Sequence, residues 1–243
     1  MIPESKGLLK TLKSLDSQFE YRKTAADGTP WFKSVTGRLP VLVSAPHACM
    51  HQRDGVDKMQ EEYTGALAFY MAERCQCSAI ATNHKTSEDP NWDVTSDYKT
   101  AVKSLVLENG IKFLIDLHGM TNRYNMGVAI GTINGSSCSV DQIIPHFIDS
   151  GFVLADNDEN QSQESWRTLA IDHPKFTGGL VNHTMTRFAS QQLNIQAVQV
   201  ELASEVRVVE YKATPDWPYD YYGSPHAIEA TVTALQSLIL QFK

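Results

Sequence analysis

The sequence lacks the features of a membrane or exported protein. None of its 243 residues lies in a run near the roughly 20 apolar residues that a membrane-spanning helix needs. The N-terminus also lacks the charged-then-apolar order of a signal peptide. Repeats, low-complexity segments and linkers are absent as well. We therefore expect one cytoplasmic domain over 1–243, with no membrane partner.

A basic excess is also missing. Lys and Arg number 21 against 28 Asp and Glu, which gives a net charge of -7. This balance argues against a nucleic-acid partner. The hydrophobic fraction of 42% and the charged fraction of 20% are typical of a globular protein. A chain of this length buries a full core without covalent staples.

The four cysteines do not form a disulfide or zinc-finger pattern; they are Cys49, Cys75, Cys77 and Cys138. Reduced thiols in a cytosolic protein are the expected state. Cys49, close to His47, raises the alternative of a thiol hydrolase, but no matching His and Asn pattern accompanies it. A small buried cysteine is the favoured interpretation.

Hydrophobic periodicity predicts strands that alternate with helices. The predicted strands are 39–45, 78–82, 112–118, 126–131, 152–155 and 195–202, and the predicted helices are 5–16, a segment opening at Glu62, a segment capped by Ser96, 140–149, 182–193 and 227–242. Asp27-Gly28 predicts a hairpin, so 1–37 would be an appendage of helix and hairpin. Segments 50–60 and 156–176 are predicted loops. The order favours a parallel or mixed α/β sheet covered by helices.

Polar residues occur where three predicted strands end: His47, His118 and Glu201. Asp116 shares a strand face with His118, because side chains alternate along a strand. The ends of parallel strands meet at one edge of a sheet. Two histidines, a carboxylate and an open position are a ligand set typical of catalytic zinc, and a further carboxylate would act as the base. Each residue alone also fits a structural role, and His51 is a rival ligand.

An ordered set of short motifs resembles the N-formylglutamate amidohydrolase-like family, related to zinc carboxypeptidases and aspartoacylases. The motifs are Pro46-His47, Glu62-Tyr63-Thr64-Gly65, Asp89-Pro90-Asn91, Asp116-Leu117-His118-Gly119 and Gln199-Val200-Glu201-Leu202, within residues 38–210. The resemblance implies a three-layer α/β/α fold with a mixed central sheet, of the phosphorylase/hydrolase-like and zinc-carboxypeptidase-like type. It also implies one catalytic Zn²⁺ and hydrolysis of the amide of an N-acyl amino acid.

The resemblance assigns roles to particular residues. It implies that His47, Glu62 and His118 bind the metal and that Glu201 is the general base. Glu62 is preferred to Glu61 because a residue, a threonine and a glycine follow it, as in aspartoacylase-like enzymes. Asp116 has two alternatives: it orients a metal ligand, or it caps nearby backbone.

The sequence departs from the family where an arginine should bind the substrate carboxylate, because Trp92 follows Asn91. A longer segment also separates His47 from the glutamates. The candidate replacements are Arg123, Arg187 and Arg207, since a guanidinium binds a carboxylate bidentately. Arg123 follows the metal strand and is preferred; a structural ion pair is favoured for the other two. Arg123 or Asn91 would position the substrate or stabilise the oxyanion.

These features predict a zinc-dependent amidohydrolase that acts on a small N-acyl amino acid or short peptide. A carboxypeptidase-like peptide hydrolase is one alternative. A non-catalytic metal- or ligand-binding protein on the same fold is another, because fold and metal site do not fix function.

Overall fold

The computed structural model describes residues 5–155, 164–180, 182–213 and 218–243. The described strands are β1 (Glu20–Thr24), β2 (Phe32–Val35), β3 (Val41–Ala45), β4 (His51–Arg53), β5 (Val56–Lys58), β6 (Ser78–Thr82), β7 (His84–Lys85), β8 (Phe113–Met120), β9 (Val128–Gly131), β10 (Val153–Leu154), β11 (Thr168–Ile171) and β12 (Gln196–Ala203). The described α-helices are α1 (Ser5–Asp16), α2 (Thr64–Cys75), α3 (Asp97–Asn109), α4 (Ile144–Ile148), α5 (Met185–Gln192), α6 (Ser204–Arg207) and α7 (Pro225–Leu240). Short 3-10 turns lie at Asn122–Tyr124, Val140–Gln142 and Ser165–Arg167.

Eight strands form the central sheet, in the order β10-β11-β9-β12-β8-β3-β6-β2. Strands β12, β8, β3 and β6 run parallel to one another. Strands β9, β11 and β10 form a second parallel block, and β9 runs antiparallel to β12. Strand β2 closes the other edge, antiparallel to β6. The carboxyl ends of β3, β8 and β12 therefore lie side by side, as expected for a shared site.

Helices cover both faces of the sheet. Helices α1, α2 and α7 pack on one face, where Leu12, Leu67 and Leu235 share a core with Val43 and Ile115 of the strands. Helices α3 and α5 cover the other face, in a core of Tyr98, Val102, Phe188, Leu42 and Leu114. Strands covered on both faces are apolar throughout, which explains the continuous hydrophobic runs in the sequence. The structure confirms the predicted three-layer α/β/α class with a mixed central sheet.

The predicted cap of α3 is present. The Ser96 hydroxyl accepts a hydrogen bond from the Lys99 N–H at 3.1 Å, and Gly110 ends the helix in a left-handed conformation with φ of 61°. These are the usual start and stop signals of a helix. Among the described residues, no helix has both the length and the apolar character needed to cross a membrane.

The predicted N-terminal hairpin is wrong. Strand β1 pairs with β7 in a separate two-stranded sheet, whereas β2 joins the edge of the central sheet. Helix α1 buries Leu8 and Leu12 against the core. Residues 5–37 are therefore integrated into the fold, because both aromatic segments around Asp27-Gly28 find other strands to pair with.

Two predicted loops contain strands. Segment 50–60 holds the hairpin of β4 and β5, which turns at Asp54 and Gly55 with φ of 51° and 74°. Segment 156–176 contains β11, and residues 156–163 of that predicted loop lie outside the described residues. Short strands of three or four residues give little periodicity to detect.

Candidate metal centre and cavity

Three strand ends bring the predicted site residues together. His47 follows β3 by two residues. His118 and Glu201 each lie two residues before the end of their strands, β8 and β12. Glu201 is the register partner of His118, so both side chains stand on the same face of the sheet. All three residues are buried. The sheet therefore assembles the predicted histidines and Glu201 at one edge.

The carboxylate between the two histidines belongs to Glu61. Its Oε1 lies 3.2 Å from His47 Nδ1, and its Oε2 lies 3.1 Å from His118 Nδ1. The Gly119 N–H donates to Oε2 at 2.8 Å, and the Glu61 N–H donates to the His47 carbonyl at 2.9 Å. One ligand atom from each of His47, Glu61 and His118 lies within 4.8 Å of the others. This geometry suits a single bound cation.

Glu62, the glutamate predicted to bind the metal, points elsewhere. It accepts a hydrogen bond from the Gln60 amide at 3.0 Å, and its other oxygen lies 3.8 Å from Arg207 Nη1. Arg207 also donates to the Glu62 carbonyl, which fixes the backbone here. The motif before α2 thus predicted the correct turn for the carboxylate ligand. The structure, however, brings Glu61 rather than Glu62 to the histidines.

The outer nitrogen of each ring faces a buried carboxylate. His47 Nε2 lies 2.9 Å from Asp89 Oδ1, and His118 Nε2 lies 3.3 Å from Asp116 Oδ1. Thr186 donates its N–H and its hydroxyl to Asp116 Oδ2, each at 3.3 Å. Such carboxylates orient metal-binding imidazoles and select their tautomer. Asp116 thus lies beside His118, as the first predicted alternative expects, and it also binds the backbone of α5 at Thr186.

The centre attracts positive charge. Burial disfavours protonation of His47, but Glu61 and Asp89 outweigh burial and raise its pKa to about 9. Burial likewise opposes protonation of His118, and Asp116 and Glu61 raise its pKa well above the ordinary value. Burial alone would raise the pKa of Glu61, yet the two histidines lower it. These shifts show that positive charge is favoured between the Glu61 carboxylate and the two imidazoles, as expected of a site that binds a cation.

Glu201 has a different environment from Glu61. Burial raises its pKa to about 7, although His118 acts in the opposite direction. The Gln199 amide donates to Oε1 at 2.6 Å and holds the side chain in place. A carboxyl group that titrates near neutral pH is suited to accept and return a proton.

The centre opens into a cavity of about 360 Å³. His47, Glu61, His118 and Glu201 line its floor, and the described cationic side chains in its wall are Arg53, Arg123 and Lys175. Arg123 is exposed; its guanidinium lies 5.2 Å from the Tyr124 ring centre and 3.3 Å from the Tyr124 hydroxyl. The structure thus places Arg123 in the cavity wall, and its contact with substrate stays a prediction.

The other predicted substrate residues have structural partners. Asn91 lines the cavity, but its Nδ2 lies 2.7 Å from His118 Nε2 and its Oδ1 accepts the Met185 N–H at 2.8 Å. Arg187 binds Gln191 on its own helix at 2.9 Å. Arg207 is buried and donates to the Leu202 carbonyl at 3.1 Å. Neither Arg187 nor Arg207 is among the described residues that line the cavity.

His51 and Cys49 are poor candidates for chemistry. His51 is buried and stacks on His47 at 3.9 Å between ring centres; burial, followed by the charge on His47, lowers its pKa to about 3. His51 therefore lies in the buried interior, although segment 50–60 is a predicted loop. Burial raises the pKa of the Cys49 thiol, which contacts the Thr82 carbonyl at 3.5 Å. A protonated buried thiol is not a nucleophile.

A second group of ligand atoms, from His47, His51 and Asp89, also lies within 4.8 Å. This second group shares His47 with the first, and its carboxylate, Asp89, already accepts other hydrogen bonds. Besides His47, Asp89 accepts hydrogen bonds from Arg53 Nε at 2.7 Å and from the Asn91 N–H at 2.9 Å. His51 and Asp89 do not line the cavity within the described part of the chain. The group containing Glu61 is therefore the better metal centre.

The sequence prediction gave no role to Asp89 or Arg53. Asp89 stood in the quoted motif with Asn91, but its distance in sequence from His47 hid their contact. Arg53 precedes an Asp-Gly pair, and period two places it on the face of β4 that carries His51. The Asp54-Gly55 hairpin signal was the available clue to this position.

Comparisons with known proteins support the fold. No family model matches the chain, and no curated protein matches it. A bacteriophage poly-gamma-glutamate hydrolase is similar in structure, with a TM-score of 0.52 and 12% identity over 90% of this chain and 92% of that one. The gene product Atu2144 from Agrobacterium tumefaciens has a TM-score of 0.52 and 11% identity, over 93% and 97% of the two chains. The zinc-free apo form of YNDL has a TM-score of 0.50 and 12% identity, over 87% and 91%.

Proposed function

We propose that the protein is a zinc-dependent hydrolase that cleaves the amide bond of an N-acyl amino acid or a short peptide. One observation carries the proposal: the Glu61 carboxylate lies between Nδ1 of His47 and Nδ1 of His118, at the floor of a cavity. Two imidazoles and one carboxylate are a typical ligand set of catalytic zinc, and they suit zinc better than Mg²⁺ or Ca²⁺.

The residues around the centre fit this ion. A ring that binds a metal through Nδ1 carries its proton on Nε2, and Asp89 lies where it accepts that proton from His47. Asp116 Oδ1 lies 3.3 Å from the same nitrogen of His118. His47, Glu61 and His118 would hold the ion. When bound, Zn²⁺ supplies a Lewis acid and lowers the pKa of a coordinated water towards about 7.

Glu201 is the proposed general base. It takes a proton from the attacking water and returns it to the departing nitrogen, which its pKa of about 7 allows near neutral pH. Gln199 keeps one carboxyl oxygen in place during both transfers. Arg123, at the cavity wall, would contact the part of the substrate that lies outside the centre.

Two structural neighbours support the assignment. One is described as a poly-gamma-glutamate hydrolase, which cleaves an amide-linked polymer, and another as a zinc-free apo form. The activity belongs to the first protein, and the ion is mentioned for the second. Here they guide the choice of substrates and metal to test.

Metal analysis tests the ligand set. We expect one zinc per chain, and loss of zinc in Glu61→Gln and His118→Ala. Glu62→Gln is the matched control, because its carboxylate contacts Gln60 and Arg207 instead. Elemental analysis of the purified variants measures the ratio. Zinc retained in Glu61→Gln but lost in Glu62→Gln would overturn the choice of Glu61.

A hydrolysis screen tests the reaction. N-acyl amino acids, short peptides and poly-γ-glutamate are incubated with zinc-loaded protein, and released amines are measured. We expect turnover of at least one N-acyl amino acid or short peptide. A protein that holds zinc stoichiometrically but turns over no amide would instead be the non-catalytic binding protein.

A further inference from the structure

One guanidinium in the cavity wall is unused by the proposed chemistry. Arg53 ends β4, and its Nε donates to Asp89 Oδ2 at 2.7 Å. Its side chain is 32% exposed and lines the cavity beside His47. The guanidinium carbon lies 5.1 Å from the Trp92 ring centre. Arg53 is therefore held on two sides and open to the cavity on a third.

The open side of Arg53 is the edge formed by its two terminal nitrogens, Nη1 and Nη2. Of the five guanidinium N–H groups, only the Nε–H has a hydrogen-bond acceptor among residues 5–155, 164–180, 182–213 and 218–243. The four N–H groups of Nη1 and Nη2 form the fork that binds a carboxylate through two parallel hydrogen bonds. An arginine with its Nε occupied and this fork available has the chemistry of an anion site.

Two residues hold the Arg53 guanidinium in place, Asp89 and Trp92. Asp89 is buried, and besides Arg53 it binds His47 Nε2 and the Asn91 N–H. The Trp92 indole N–H donates to Asp54 Oδ1 at 3.1 Å, which ties the aromatic platform to the turn after β4. Preorganised groups lose less conformational entropy when they bind a ligand. The exposed Arg123 has only Tyr124 as a described partner.

Asp89 also sets the position of Arg53 relative to the metal centre. One carboxyl oxygen contacts the His47 ring and the other contacts the guanidinium. The fork is thus separated from a metal-binding ring by a single carboxylate. Arg53 lines the same cavity as His47, Glu61 and His118, so a substrate group bound by Arg53 would lie in the cavity that the centre opens into.

We propose that Arg53 binds a free carboxylate of the substrate, beside the amide that is cleaved, and thereby makes the enzyme selective for anionic substrates. This inference rests on the proposed function for the identity of the cleaved bond. The carboxylate site itself is formed by Arg53, Asp89 and Trp92. Arg53 is a specificity residue, and it takes no part in proton transfer.

Binding of an uncleavable probe tests the site without turnover. The probe is 4-oxopentanoate, in which a CH₂ group replaces the amide nitrogen of N-acetylglycine, and its uncharged comparison is 4-oxopentanamide. Calorimetry or ligand-observed NMR with the purified full chain gives Kd. We expect Arg53→Leu to weaken binding of the acid about 10- to 100-fold, as for hydrogen bonds to a charged group, with little effect on the amide.

One further variant separates the charge of Arg53 from its geometry, and a second variant is a control. Arg53→Lys keeps the charge but loses the fork and the contact to Asp89, so it should also weaken binding of the acid. Arg38→Leu is the matched control, because Arg38 binds Gln76 and lies outside the cavity. Zinc content and thermal unfolding of each variant establish that it is folded. Full binding by Arg53→Lys would overturn the bidentate assignment.

Kinetics complete the test. With N-acetyl-L-alanine as substrate, Arg53→Leu should raise KM more than it lowers kcat, and it should abolish any preference over N-acetyl-L-alaninamide. Unchanged binding of 4-oxopentanoate by folded Arg53→Leu overturns the site even if the enzyme hydrolyses amides. Loss of that binding, in a protein that hydrolyses none, supports the Arg53 site and rejects the proposed function.

Discussion

Three hydrogen bonds of the site converge on the Asp89 carboxylate. It is buried and accepts hydrogen bonds from Arg53 and the Asn91 backbone, and it contacts His47. Burial alone would raise its pKa, but His47, His51 and Arg53 together hold that pKa well below its ordinary value. A buried carboxylate of this kind remains charged because its partners compensate for desolvation.

The residue on which catalysis should depend most is Glu201. We expect Glu201→Gln to lower turnover about 100- to 10,000-fold, because an amide cannot accept the proton from water. Zinc content should stay unchanged, because the proposed metal ligands are His47, Glu61 and His118 and do not include Glu201. Steady-state kinetics and elemental analysis measure both quantities. Glu108→Gln, exposed on α3, is the control.

Single residues mark the limit of prediction from sequence. His47 and His118 were predictable because each closes a buried apolar strand, where an unpaired polar group would be costly. The choice between Glu61 and Glu62 was not predictable from sequence, because two adjacent glutamates differ only in the direction in which their side chains point. That direction depends on Arg207, which holds the Glu62 carbonyl from a helix far along the chain.

At the scale of elements, the same dipeptide behaves in two ways. Asp-Gly occurs at Asp27-Gly28 and at Asp54-Gly55, and only the second pair turns a hairpin. Both glycines have positive φ, 77° and 74°. The local turn signal was therefore correct in conformation at both places. Strand pairing decided the outcome, because β1 and β2 each pair with a strand elsewhere.

The turn of β4 and β5 gives a stability prediction. Gly55→Ala should lower the free energy of unfolding by about 1 kcal/mol, because a Cβ is strained in the left-handed region. Gly7→Ala in α1 is the matched change, and it should raise stability by about 0.5–1 kcal/mol. Nothing lies within 4 Å of either added Cβ. Urea unfolding measures both; equal effects would contradict the backbone explanation.

The junction between α1 and α2 gives a pH prediction. Asp16 accepts the Tyr63 N–H at 3.0 Å and a hydrogen bond from the Tyr21 hydroxyl, and burial raises its pKa to about 6 from 3.8. A carboxyl with a raised pKa favours the folded state when protonated, so its contribution is lost as pH rises from about 4 to 6.

Asp16→Asn removes this titration and keeps an oxygen acceptor. Its stability relative to wild type should therefore increase between pH 4 and pH 7, by roughly 1–2 kcal/mol after allowance for partial exposure. Urea unfolding of both proteins at the two pH values gives the difference. A relative stability that falls over this range would contradict the raised pKa.

At the scale of the whole molecule, the layered architecture was predictable and the strand pairing was not. Continuous apolar runs such as β3 and β8 indicate strands covered on both faces. The antiparallel contact of β9 with β12 reverses the direction of three of the eight strands, and no local pattern encodes it. Pairing between distant strands depends on the whole core.

Zinc should stabilise the whole fold, because its proposed ligands come from the end of β3, the turn before α2 and strand β8. At a free zinc concentration 1,000 times Kd the gain is about 4 kcal/mol. For a chain of this size that corresponds to a rise in Tm of about 8–16 °C. Scanning calorimetry with and without a chelator measures it. Glu61→Gln should show a much smaller shift.

The position of β12 in the sheet has a consequence for how the protein is made. It is the last strand of the sheet along the described chain, yet it lies between β8 and β9 near the middle. During synthesis, β8 and β9 must therefore wait, without this neighbour, until residues 196–203 leave the ribosome. Glu201 arrives with that strand, so the proposed general base joins the histidines only when the two blocks of the sheet are united. A nascent chain that stops earlier would expose two unpaired inner edges, which makes it a substrate for chaperones rather than a partly active enzyme.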